Sequence, residues 1–238
     1  MKAKIVSWIR RQVKATGAKG IVLGLSGGID SAVVAALSCQ AIGTKNVLAL
    51  FLPCNSNRQD LKDAKLVAKK LKLKTRIVDL SKVYNNLLRV LPGASDLAKS
   101  NLKPRLRMAV LYYFANKLNY LVSGTGNKSE LSVGYFTKFG DGGADILPIA
   151  GLFKKQVRAL AKELKIPEPV ISKAPTAGLW HGQTDEGEMG ITYSELDDIL
   201  KRMENNTKQA APLNKVNKVK RMIKTSVHKR SGAAVCRV

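Results

Sequence analysis

Residues 21–37, IVLGLSGGIDSAVVAAL, restrict the fold more than any other stretch of the chain. Residues 21–25 are apolar or small with no polar alternation, the pattern of a strand buried on both faces of a parallel sheet. They run straight into Ser26-Gly27-Gly28-Ile29-Asp30-Ser31, and residues 31–42 then have the length and composition of a buried helix. A strand, a glycine turn and a helix in that order form one βα unit of an open α/β sheet.

The turn also has a chemistry. Gly27 and Gly28 allow backbone N–H groups to approach an anion closely, Ser26 and Ser31 offer hydroxyl donors, and the helix N-terminus adds its positive end. The turn lacks the lysine of G-x-x-x-x-G-K-[ST] and the third glycine of the dinucleotide fingerprint, so it is a phosphate cradle of another kind. A carboxylate beside such a cradle would repel phosphate unless a cation bridges the two, so Asp30 points to Mg²⁺ shared with phosphate oxygens. The alternative is structural: Asp30 as the helix N-cap and the glycines as a tight turn.

The rest of the chain repeats the alternation. Strand-like runs at 47–52, 75–78 and 120–123 are separated by helical patterns at 60–71 and 104–118, and further helices fit 154–164 and 193–203. Together these predict a doubly wound, mostly parallel sheet flanked by helices, with a helical C-terminal segment at 215–230 striped by Val216, Val219 and Ile223. The glycine-rich stretches 140–143 and 178–190 read as loops near a site. All 238 residues fit one domain, 1–238. Ile5, Trp8, Ile9 and Val13 have helical spacing between basic residues, which suggests an amphipathic first helix in a cytoplasmic protein rather than a signal peptide. No apolar run reaches the roughly 20 residues of a membrane span. Cys39, Cys54 and Cys236 are widely spaced without C-x-x-C, which argues against a disulfide framework or zinc site.

The net charge is +24, from 41 Lys and Arg against 17 Asp and Glu. Such a field concentrates polyanions, whether nucleic acid, dinucleotides or ATP, without choosing among them. Aromatic residues are only 5% and do not interleave with basic ones, which weakens a reading as an RNA binder.

SGGIDS resembles the pyrophosphatase loop of the N-type ATP pyrophosphatases, which cleave ATP to AMP and pyrophosphate while adenylating a second substrate. Several families carry relatives of it. The segments RLRMAVLYYFAN, VSGTGNKSE, GYFTKFGDGGADILPI, LFKKQVRALA, APTAGLW and GQTDEGEMGITYSELDDIL are similar, in order, to those of ammonia-dependent NAD synthetases, and the similarity spans nearly the whole chain.

The resemblance implies an adenine nucleotide alpha-hydrolase-like fold and an enzyme that amidates deamido-NAD with ammonia through an NAD-adenylate. By the same resemblance, ATP is held by Gly24, Leu25, Ser26, Gly27, Gly28, Ile29, Asp30 and Ser31, with Thr125, Lys154 and Thr176. Mg²⁺ falls to Asp30 and Glu130. Glu130 lies beyond the end of the strand at 120–123, where nucleotide sites of open sheets sit, though it also suits a first-turn helix acid. Arg105, Lys138, Asp145, His228 and Lys229 match deamido-NAD positions. Asp141 is expected to position ammonia, and His181 is given no chemistry. The loop 178–190 is expected to close over the adenylate and exclude water.

The chain is expected to carry no glutaminase domain, and so to use free ammonia as a homodimer with deamido-NAD bound across the interface. The apolar side of the 104–118 helix would contribute to that contact. Two rivals remain. An RNA-modifying relative would suit the charge, but calls for an RNA-binding appendage or sulfur-handling cysteines that the chain does not display; a nucleotide-binding regulator without catalysis sits poorly with Asp30, Glu130, Lys154 and Thr176 all being present.

Overall fold

The computed structural model describes residues 1–178, 180 and 182–236. Strands β1 (Gly20–Gly24), β2 (Val47–Phe51), β3 (Lys74–Ile77) and β4 (Tyr120–Val122) form a parallel sheet in the order β3-β2-β1-β4. Helix α1 (Lys2–Thr16) precedes β1, α2 (Ile29–Ile42) links β1 to β2, and α3 (Arg58–Leu71) links β2 to β3. From β3 the chain returns to the other side of β1 through α4 (Ser81–Val90), α5 (Asp96–Ser100) and α6 (Leu102–Leu118). The order reverses between β1 and β4, so a crevice opens beyond their carboxyl ends.

Side chains alternate across the sheet into two cores. Ile21, Leu23, Val47, Ala49 and Phe51 pack with α1, α2, α3 and the later α8 (Lys154–Glu163). Val22, Leu48, Leu50 and Val122 pack on the opposite face with α4 and α6. A third, smaller core joins α7 (Lys128–Val133), α10 (Asp185–Met189), α11 (Tyr193–Glu204) and α12 (Leu213–Thr225). The short helices α9 (Glu168–Ile171) and α13 (Val227–Arg230) complete the order.

Helix α2 buries ten of its fourteen residues, which is why it has no polar stripe and why its first turn is held rigidly. Its N-cap is Gly28, so Asp30 lies inside the first turn and the reading of Asp30 as N-cap is corrected. That places the Asp30 carboxylate free to face the crevice instead of its own backbone.

Several other expectations change. The stretch 178–190 is not all loop: residues 185–189 are α10, capped by the Thr184 hydroxyl, which accepts from the Gly187 N–H at 3.2 Å. His181, and Leu179 of the expected covering loop, lie outside the described residues. The segment 215–230 breaks at Ser226 into α12 and α13. On α6, Leu106, Val110 and Phe114 pack against the protein's own second core, leaving Tyr113 at 60% exposure as the apolar residue of that set facing outward.

Candidate functional site

A cleft of about 630 Å³ opens at the carboxyl ends of β1 and β4. Its floor is the β1–α2 turn. Gly24, Leu25, Ser26, Gly28, Ile29, Asp30 and Ser31 line it, while Gly27 is turned into the protein. Gly27 has φ +84, and a Cβ there would sit 2.3 Å from the Asp60 carbonyl of α3, so glycine is required by both conformation and space. The turn is locked from inside: the Gly28 N–H donates to Ser26 Oγ at 3.2 Å, and Ser31 Oγ donates to the Gly28 carbonyl at 2.9 Å.

Above this floor three elements converge on Asp30. Lys154, first residue of α8 and 2% exposed, donates from Nζ to Asp30 Oδ2 at 2.6 Å and to Glu130 Oε1 at 3.1 Å. Asn127 Nδ2 donates to the other Asp30 oxygen at 3.0 Å. Asn127 is also the N-cap of α7 in a capping box with Glu130, so one residue starts the helix and aligns both carboxylates. Helix α11 braces the group. Its Asp197 accepts from Ser129 Oγ and, at 3.0 Å, from the Lys155 N–H, while Ser129 Oγ accepts from the Lys154 N–H at 3.0 Å. Tyr193 OH bridges Glu130 Oε1 at 3.1 Å and Asp185 Oδ2 at 2.9 Å, and the Lys154 ammonium lies 4.7 Å from the Tyr193 ring centroid.

Burial dominates the electrostatics. It pushes Glu130 above the ordinary carboxylate range; the attraction of Lys154 opposes this and the nearby charge of Asp30 adds to it. Burial alone would lower Lys154, but Asp30 and Glu130 outweigh it and hold the ammonium charged. Asp185 is raised for the same reason as Glu130, with Lys154 pulling it down. Burial and the carboxylates of Glu130 and Asp185 keep Tyr193 a neutral donor.

Thr125, Thr176, Asp141 and Lys229 also line the cleft. Asp141 accepts from the Thr137 N–H at 2.9 Å and opens into the cleft, yet the protein crowded around it withholds enough water to raise its pKa. Lys229 Nζ donates to the carbonyls of Gly134 and Phe136, both at 2.9 Å. Beside it, outside the cleft lining, Lys138 Nζ reaches the carbonyls of His228 at 2.5 Å and Ser231 at 3.1 Å. The Arg105 guanidinium meets the Lys138 carbonyl at 3.4 Å. Asp145 is committed elsewhere: it accepts from the Val122 N–H at 2.7 Å and from Tyr112 OH at 3.0 Å, pinning the end of β4 to α6. The fold thus gathers the expected ATP and metal residues, all but Gly27, into the lining of one cleft, and Arg105, Lys138 and His228 at its margin.

Sequence reasoning missed Asn127, Asp185, Tyr193, Asp197 and Lys173. A signal existed for Asn127: Asn followed three residues later by Glu is a helix-start pattern, and it fixes where Glu130 points. Asp185, Tyr193 and Asp197 lie on helices far from Asp30 in sequence and Lys173 in a segment outside any helix or strand, and no spacing rule brings them to the cleft.

An open parallel sheet with an anion cradle at its switch point and an Asp-Lys-Glu cluster built on a buried lysine above it defines a nucleotide-binding α/β protein that handles phosphates. The NAD synthase family profile matches residues 1–233, and the chain belongs to that family. It is 48% identical to the NH(3)-dependent NAD(+) synthetase of Carboxydothermus hydrogenoformans, over 95% of this chain and 93% of that one. It is 46% identical to the namesake from Archaeoglobus fulgidus, over 99% and 95%. Among solved structures, an NMN synthetase from Francisella tularensis superposes with a TM-score of 0.92 at 38% identity, covering 100% of this chain and 97% of that one.

Proposed function

We infer that the chain is an ammonia-dependent NAD synthetase, a ligase that converts ATP, deamido-NAD and ammonia to NAD, AMP and pyrophosphate. The observation that carries this reading is the Asp30-Lys154-Glu130 cluster poised above the SGGIDS cradle, in a chain with this family membership.

In this reading the N–H groups of the β1–α2 turn and the Ser26 and Ser31 hydroxyls receive ATP phosphate, with Thr125 and Thr176 beside them. Among the described residues no group of three or more His, Cys, Asp or Glu side chains is arranged to hold a metal. Two hard carboxylates over a phosphate cradle still fit Mg²⁺, which binds one or two carboxylates and takes its other ligands from phosphate and water. Asp30 and Glu130 would hold it, and its charge would offset that on the leaving pyrophosphate. Lys154 supplies the protein's own positive charge at the same place. No protein nucleophile is needed: the nicotinate carboxylate attacks the α-phosphorus, and ammonia, placed by Asp141, displaces AMP. Arg105, Lys138, His228 and Lys229 bind deamido-NAD, and Asp145 acts there through the end of β4.

Deamido-NAD binding across a homodimer is supported by the exposure of Tyr113 and Phe139, 60% and 63%, on the side that carries Arg105 and Lys138. Among the described residues no helix is long and apolar enough to cross a membrane, in keeping with a cytoplasmic enzyme. Nucleic acid has no necessary part in the reaction.

The test is direct. Purified chain with ATP, Mg²⁺, deamido-NAD and ammonium should yield NAD, whereas glutamine in place of ammonium should yield none. Deamido-NAD labelled with ¹⁸O in its carboxylate should deliver one labelled oxygen to AMP and none to pyrophosphate. Label in orthophosphate alongside ADP would overturn adenylation. The overlap with an NMN synthetase favours one second reading, amidation of the corresponding mononucleotide acid. The same assay with that acid ranks the two acceptors by kcat/KM.

A further inference from the structure

Thr176 lines the cleft from a segment, residues 173–178, that belongs to no helix or strand. Something other than a backbone ladder must therefore hold it. One fastening is the Asp185 N–H, which donates to the Pro175 carbonyl at 3.1 Å. A second is local: the Gly178 N–H donates to Thr176 Oγ1 at 3.0 Å, with Gly178 at φ +62.

The third is charged. Lys173 Nζ lies 2.7 Å from Asp60 Oδ1 and 2.7 Å from Asp63 Oδ2, both on the first turns of α3. Asp63 is 4% exposed and is held in turn by Gln59 Nε2 at 2.7 Å. These two residues are also the wall behind the phosphate cradle, since a Cβ on Gly27 would meet the Asp60 carbonyl at 2.3 Å and Asp63 Cβ at 3.1 Å. One ammonium therefore joins the segment bearing Thr176 to the helix against which the cradle is packed.

We propose that Lys173 is a positioning residue for ATP, clamping the Thr176 segment to α3 so that both walls of the phosphate channel keep a fixed separation. The proposal rests on the cleft being the ATP site. A direct role as a phosphate ligand fits less well. Both acidic partners already bond the ammonium, and its departure toward phosphate would leave two carboxylates, one of them buried, facing the same anion.

Steady-state kinetics on the full chain separates these roles. Saturable ATP dependence of the unaltered protein tests the ATP reading itself; the variants then test the clamp. Lys173→Met is expected to raise KM for ATP about tenfold or more, a loss of ~1.4 kcal/mol, with KM for deamido-NAD within about twofold. Asp63→Asn should move KM for ATP the same way, Lys173→Arg should recover most of the loss, and Lys173→Met with Asp63→Asn should be little worse than Lys173→Met alone. Should Lys173→Met fail to fold, Asp60→Asn, at a more open position, reads the same contact.

Three results would overturn the clamp. The first is an unchanged KM for ATP in Lys173→Met. The second is equal rises in both KM values, which would mean general loosening. The third is a lower KM for ATP in the Asp→Asn variants together with a higher one in Lys173→Met, which would make Lys173 a direct phosphate ligand.

Discussion

Lys154 is one of 41 basic residues in the sequence, and nothing local distinguishes it. In the fold it is 2% exposed and is the cation between two carboxylates from α2 and α7. Removing such a partner strands buried charge, so Lys154→Met should cost about 3–5 kcal/mol of stability in the ligand-free protein. The sign with pH follows. Burial already holds the folded pKa of Glu130 above its unfolded value, at about 7; without Lys154 it rises further, and a carboxylate so raised loses stability as pH climbs from the unfolded toward the folded value. The deficit relative to the parent should therefore be small in acid and grow as pH rises past about 7, where Glu130 of the parent ionises beside Lys154. Asp30→Asn, which removes charge and keeps shape, should fold normally but lose turnover by about a hundredfold or more. Thermal melts across pH with activity assays check both; a Lys154→Met protein as stable as the parent at every pH would contradict the buried-charge account. The lysine was found through resemblance alone, because burial is a property of packing and leaves no mark on a single residue.

Among the elements, those with long apolar periods were legible. β1, β2, α2, α3, α6, α8 and α11 fall within one or two residues of where the sequence puts them, β1, β2 and α2 as nearly unbroken apolar runs and the other helices by apolar residues at helical spacing. The helices α5, α7, α9 and α10, four to six residues long, are too short to show such spacing. They are set by caps such as Ser95, Asn127 and Thr184, whose side chains accept from their own helices. β3 and β4, at 74–77 and 120–122, fall within one residue of the runs expected at 75–78 and 120–123; β3 does so although all four of its residues are exposed and β2 alone holds it at the sheet edge. The β1–α2 junction allows a controlled comparison. Gly27→Ala meets the Asp60 carbonyl at 2.3 Å with φ +84, whereas a Cβ at Gly28 has Ser26 Oγ as its nearest neighbour at 3.3 Å. Gly27→Ala should cost at least about 1–2 kcal/mol from the left-handed conformation, before any clash, and Gly28→Ala clearly less. Denaturant melts would show the order, and equal effects would mean that α3 does not constrain the cradle.

At the scale of the whole molecule the charge is the dominant quantity. Eight ion pairs are formed among the described residues, two of them sharing Lys154 and two sharing Lys173, so most of the 41 cations face solvent. Two protomers of +24 repel until salt screens them, and the screening length shrinks from roughly 30 Å at 0.01 M to 10 Å at 0.1 M. Dimer formation should therefore tighten as salt rises, the reverse of what nucleic-acid binding would do. Sedimentation velocity over a salt series reads this, and a fully active monomer at every salt concentration would remove the dimer from the account.

The strand order has a further consequence, for the growing chain. β1 pairs on one side with β2, complete by residue 51, and on the other with β4, which ends at residue 122. Throughout synthesis of the seventy residues between, an apolar central strand presents an open edge of unpaired N–H and C=O groups. The contacts that build the site span greater distances still, 97 residues from Asp30 to Asn127 and 124 from Asp30 to Lys154. Loop closure over such lengths is slow, so the nascent half-sheet must wait, exposed, for the partner that both shields it and assembles the chemistry.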